Sequence, residues 1–211
     1  MATRRKTQIS SRKKPQQARS NELVAAILQA AIQVLEKEGA HRFTTARVAE
    51  KAGVSVGSVY QYFPNKASIL FRLQSDEWRQ TTELLRSILL DARHAPLERL
   101  RTLVHVFIRS ECDEAKVRIA LHDAAPLYRD APEAKEARAS GEHAIQTFMK
   151  EVLPDASAAT RDMAGDLIKT TLSEVGKGFS ETPRTAAEIK TYSAAMADMF
   201  CAYIKSLAKA T

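Results

Sequence analysis

A chain of 211 residues that is 45% apolar carries enough hydrophobic side chains for one large or two small buried cores, which excludes a wholly disordered protein. Its net charge of +7 is unevenly spread: residues 1–66 hold 12 Lys and Arg against 4 Asp and Glu, whereas the remainder holds 20 against 21. A basic first third joined to a near-neutral remainder predicts a polyanionic partner, with nucleic acid ahead of an anionic membrane surface because no amphipathic helix there carries a basic face beside exposed bulky apolar residues.

Only 7 glycines and 7 prolines interrupt the chain, and no stretch alternates as a strand would, so an all-α fold of nine helices is expected. No apolar run follows the basic N-terminal residues as in a signal peptide, and no segment approaches the roughly 20 apolar residues that span a bilayer. The expected location is the cytoplasm, with no membrane attachment. Cys112 and Cys201 lie far apart inside helical patterns and read as small buried thiols rather than a disulfide.

In chain order, residues 1–20 contain Arg4, Arg5, Lys6, Arg12, Lys13, Lys14 and Arg19 with no acidic residue, which predicts a disordered basic arm. Such an arm either stays solvated or follows phosphates when DNA is bound. A first helix over about 21–38 carries Leu23, Ile27, Ala30, Ala31, Val34 and Leu35 on one face and ends at Gly39. A second, starting at Thr44 and stopping at Gly53, has the stripe Val48, Ala49 and Ala52; Ser55 caps a third over 56–63, which Pro64 ends, and Asn65 caps a fourth. Longer helices follow over about 66–92, 96–112, 114–125, 133–153, 158–179 and 186–208, with Pro96, Pro132, Pro154 and Pro183 in the gaps.

Two short helices joined at Gly53 match a helix-turn-helix, whose second helix enters the major groove. At about 100° per residue from Val56, Val59 and Phe63 fall near 300° and 340° and face a core, while Gly57, Gln61 and Ser58 near 100°, 140° and 200° face outward. Tyr60 and Tyr62, near 40° and 240°, then flank that outward face with hydroxyls aimed at phosphates. Small residues at 57 and 58 allow close approach to base edges, Gln61 suits an adenine and Val56 a thymine methyl, although the angle of Val56 points toward the core. Lys66 occupies a helix first turn, where a bound phosphate would offset its clash with the macrodipole. Thr44 and Thr45 read equally as phosphate contacts and as simple caps.

The stretch FTTARVAEKAGVSVGSVYQYFPNKASIL resembles the DNA-binding signature of TetR-family transcriptional regulators in its paired threonines, alanine-glycine-valine turn, recognition-helix glycine, Tyr-x-Tyr-Phe and following lysine. The specific likeness covers about residues 21–70; beyond it the chain agrees in length, helix count and periodicity only. The resemblance implies a homodimeric repressor of a palindromic double-stranded operator, released by a small-molecule effector, with a DNA-binding domain over 21–66 and a ligand-binding and dimerisation domain over 67–211. It matches Thr45, Gly57, Ser58, Tyr60, Tyr62 and Lys66 to DNA-contacting positions, and Val56 and Gln61 to the variable, base-reading ones.

The resemblance also implies dimerisation through the last two helices, with Leu172, Tyr192, Met196, Met199, Phe200 and Tyr203 as candidates, although packing inside one protomer produces the same stripe. An effector cavity among the helices after the third makes Trp78, His105, Phe107, Arg109, His122 and Tyr128 its candidates. His105 and Arg109 share a helix face and suit an anionic or phenolic ligand, or else a structural polar pair. The five histidines are scattered without metal spacing or a catalytic motif, so no enzyme activity, metal or cofactor is expected. An architectural DNA binder without an effector stays open as the alternative, with a helical enzyme behind it.

Overall fold

The computed structural model describes residues 18–127 and 142–209, and all its regular structure is helical. Among the described residues nine α-helices run α1 (Ala18–Arg42), α2 (Thr45–Ala52), α3 (Val56–Tyr62), α4 (Lys66–Leu89), α5 (Pro96–Asp113), α6 (Ala115–Ala124), α7 (Glu142–Val152), α8 (Ala158–Ser180) and α9 (Ala186–Lys209), with a 3-10 turn at Ala125–Leu127. Helix α1 begins at Ala18, three residues before the expected start at about 21; residues 1–17 of the basic arm, and the first part of the helix expected over 133–153, lie outside the described residues.

Local chemistry explains most boundaries. Gly39 breaks α1 in a left-handed conformation (φ 72°, ψ 174°), after which one further turn runs to Arg42. Thr44 caps α2 by accepting from the Arg47 amide at 3.3 Å. At its other end Gly53 is left-handed (φ 68°), and its N–H bonds back to the Ala49 and Glu50 carbonyls. Ser55 caps α3 through the Ser58 amide at 3.0 Å, and Asn65 Oδ1 accepts from the Ser68 amide at 2.9 Å at the start of α4. Thr185 and Glu188 form a reciprocal capping box at α9: the Thr185 N–H reaches Glu188 Oε2 at 2.7 Å, and the Glu188 N–H reaches Thr185 Oγ1 at 3.2 Å.

The chain divides into two compact units, with described residues 18–79 and 116–127 in the first and 80–115 and 142–209 in the second. In the first, Val24, Ile27, Ala31, Val34 and Leu35 of α1 pack with Phe43, Val48, Val59, Phe63, Ile69 and Leu70, and Ala120, Leu121 and Ala124 of α6 join the same core. The expected division at residue 66 follows chain order, whereas this partition follows packing and takes α6 into the unit that carries the helix-turn-helix.

In the second unit, Leu100, Val104 and Ile108 of α5 pack against Phe148 of α7, Ile168 and Leu172 of α8, and Met196, Phe200 and Ile204 of α9. Arg99 is buried in that unit, 2% exposed: it donates to the Leu89 carbonyl at the end of α4, pairs with Glu151, and lies over the Phe148 ring at 5.8 Å. Its guanidinium complements the C-terminal end of the α4 dipole and answers one of the carbonyls that every helix end leaves over.

Candidate nucleic-acid interface

The pair α2 and α3 is fastened from below. Val48 and Ala49 of α2 and Val59, Tyr62 and Phe63 in and after α3 lie in the core of the first unit. The buried arc of α3 therefore runs from about 240° to 340°, and the exposed arc holds Val56, Tyr60, Gly57 and Gln61. Val56 is 39% exposed and Tyr60 42%.

Tyr62 corrects the sequence expectation: it is 7% exposed and packs in the core beside Phe63 instead of flanking the outward face. At about 240° it stands about 60° from Val59, and the core built from α1, α2, α4 and α6 extends far enough round α3 to cover it. Val56, which the angle directs toward the core, is instead exposed at the first position of α3.

Thr44 and Thr45 have separate fates. Thr44 is exposed and caps α2, whereas Thr45 is 9% exposed and sets its Oγ1 3.5 Å from the Tyr60 hydroxyl. Ser58 Oγ is tied to Ser55 Oγ at 2.8 Å at the start of α3. A Cβ at Gly57 would meet only Ser55 Oγ, at 3.7 Å, so no neighbour within the chain requires glycine there. Lys66 opens α4 as an exposed cation, and Arg47 on α2 is paired with Glu38.

The expected effector residues are divided between the two units. Trp78 packs partly buried against the first core and His122 is exposed in the same unit. In the second unit Phe107 is buried in the core, His105 Nδ1 lies 2.9 Å from Ser193 Oγ, and Arg109 points to solvent with Asp113 at 3.7 Å. His105 and Arg109 thus part company despite their spacing, because one edge of the α5 face meets α9 and the other meets water. Tyr128 lies outside the described residues. A cleft of about 190 Å³ opens elsewhere in this unit, between α7 and α8, lined by Ile145, Met149, Arg161, Asp162, Gly165 and Lys169.

The expected interface residues divide between core and surface of the protomer. Leu172, Met196 and Phe200 belong to the protomer's own core, Tyr192 stacks on Phe179 with centroids 4.0 Å apart, and Tyr203 packs partly buried against the same core. Met199 is 52% exposed. Sequence reading missed Met163, Leu167 and Val175, which form an exposed apolar row at four- and eight-residue intervals along α8. Their signal is a second apolar face on a helix that already has one, diluted by the alanines and threonines between.

Among the described residues no helix is long and apolar enough to cross a membrane, and no group of three His, Cys, Asp or Glu side chains comes together as a metal site. Burial pushes the Cys112 and Cys201 thiols above their ordinary pKa.

Two family models match the chain: bacterial regulatory proteins of the tetR family over residues 27–73, and the tetracyclin repressor-like C-terminal domain over residues 95–207. The nucleoid occlusion factor SlmA of Vibrio campbellii is 40% identical over 84 residues, 39% of this chain and 42% of that protein. The fatty acid metabolism regulator protein of Bacillus subtilis is 37% identical over 57 residues, 27% of this chain and 29% of that one. The chain thus spans less than half the length of these curated relatives. The fold of the fatty acid degradation regulator FadR from Bacillus halodurans superposes with a TM-score of 0.66 at 19% identity, covering 89% of this chain and 96% of the other.

Proposed function

The chain belongs to the tetR family of bacterial regulatory proteins, and on that premise we propose that it is a transcriptional repressor that binds a palindromic operator as a homodimer and is released by a small-molecule effector. The observation that carries the DNA-binding part is the exposed arc of α3, where Val56, Gly57, Tyr60 and Gln61 stand clear of a helix whose other arc is buried. Gly57 admits the helix backbone to the groove floor, Gln61 presents a bidentate amide to an adenine edge, and Val56 offers a methyl surface to thymine. Thr44, Ser58, Tyr60 and Lys66 hold the flanking phosphates, which fix the register of the helix without reading sequence. Thr45 and Tyr62 support that surface from beneath.

The exposed row of Met163, Leu167 and Val175 on α8, with Met199 on α9, supports a partner surface, and a second copy of the chain fits a self-complementary two-fold contact there. A two-fold dimer offers two α3 helices to half-sites about 34 Å apart. An effector acts by preferring a protomer geometry with another spacing, and it shifts the population only by its differential affinity for the two states. The test is selection of the full chain against a random duplex library at near-physiological salt. Enrichment of a palindrome is expected, and no enrichment over input overturns the sequence-specific reading. Release of the recovered duplex by a compound from a screening panel is the expected mark of an effector; retention with every compound favours an effector-independent DNA binder.

A further inference from the structure

Helical serines in this chain donate their hydroxyl protons to the carbonyl three residues back: Ser87 to Leu84, Ser110 to Phe107 and Ser206 to Tyr203. Thr45 has no such outlet within its helix, because it is the first residue of α2 and no carbonyl of α2 lies behind it. Its side chain is also nine-tenths buried, so it cannot extend freely to a ligand of its own. The polar atom it faces is the Tyr60 hydroxyl, 3.5 Å away across the turn from α2 to α3.

We propose that Thr45 is a positioning residue for Tyr60: it donates its hydroxyl proton toward Tyr60 Oη, which leaves the Tyr60 proton for a DNA phosphate oxygen. The inference rests on the reading that α3 meets DNA. A fully formed bond between hydroxyls is about 2.7–2.8 Å long, so at 3.5 Å the pair is poised and not closed. When a phosphate accepts the Tyr60 proton, Oη gains electron density and becomes a better acceptor, which strengthens the Thr45 bond behind it. The first helix of the motif thereby sets the aim of a side chain on the second. A tyrosine held this way loses less rotational freedom when the phosphate arrives.

The test is a double-mutant cycle in the full chain, with Thr45→Val, Tyr60→Phe and the double variant titrated against a fluorescent duplex of random sequence at low salt. Valine replaces the hydroxyl by a methyl at constant volume, and a thermal melt of each variant checks the fold. Each single change is expected to lower affinity about 3- to 10-fold, the range of one hydrogen bond, and the double variant to lose little more than either. Thr45→Ser, which keeps the hydroxyl, should retain affinity, and Thr45→Ala serves in the cycle if valine does not fold. Additive losses, or an unchanged affinity in Thr45→Val, overturn the proposal while leaving DNA binding by α3 intact. Failure of the unmodified chain to bind any duplex overturns both.

Discussion

Gly57 and Gln61 stand one turn apart on the exposed arc of α3, and the Cβ that Gly57 lacks would have only the Ser55 hydroxyl within van der Waals reach. A helical glycine with open space beside it costs about 0.5–1 kcal/mol relative to alanine and gains nothing from the rest of the chain. Its use lies outside the protomer. Gly57→Ala is therefore expected to raise stability to urea by up to about 1 kcal/mol while weakening DNA binding, as measured by denaturation and fluorescence anisotropy. Loss of stability with unchanged binding would assign the glycine to the fold.

Base-reading and phosphate-holding residues should separate by their signatures. Gln61→Ala is expected to change the preferred sequence in a repeat of the library selection. Lys66→Ala should weaken all sequences alike and reduce the slope of log affinity against log salt by about 1.8 for the dimer, the counterions released at one phosphate in each half-site. A salt slope unchanged by Lys66→Ala would remove that lysine from the interface.

Exposed and buried positions of α8 and α9 should behave in opposite ways. Leu167→Asp on the outward row is expected to leave the melting temperature of the protomer nearly unchanged and to shift sedimentation toward the monomer. Met196→Ala, inside the protomer core, should cost about 2–5 kcal/mol of stability. A Leu167→Asp protein that sediments as the unmodified chain does would locate the contact elsewhere.

Arg99 is a buried cation whose carboxylate partner, Glu151, is half exposed. Removing the partner leaves the charge with the Leu89 carbonyl and the Phe148 ring, so Glu151→Ala is expected to destabilise by about 1–3 kcal/mol, a loss that Glu151→Asp should partly reverse. Equal stability of all three proteins, by urea titration, would show that the pair contributes nothing.

Burial raises the Cys201 thiol above its ordinary pKa, so its reactive thiolate is scarce at neutral pH in the folded chain. In the folded protein the labelling rate with a disulfide reagent should therefore start to climb at a higher pH than in urea. Rapid labelling of Cys201 in native protein at neutral pH would contradict the burial.

Helix ends were legible because they are made by residues within a few positions of one another. Thr44 reaches the Arg47 amide, Gly53 turns back on Ala49, and Ser55 reaches Ser58, so each boundary is written in one short stretch. The same locality exposes α2, the turn and α3 as a unit. Facing was less legible: Tyr62 and Val56 sit at the edges of the α3 stripe, where a rotation of one side chain decides between core and surface.

By itself, then, the sequence determined the all-helical class, the order of the helices among the described residues, the basic first third and the helix-turn-helix motif. Only the tertiary structure decided that Tyr62, Met196 and Phe200 are core, that Met163 and Leu167 are surface, and that α6 packs with the helix-turn-helix unit. Periodicity marks an apolar face but not the surface that will cover it. That depends on which helices, distant in the chain, arrive to remove it from water.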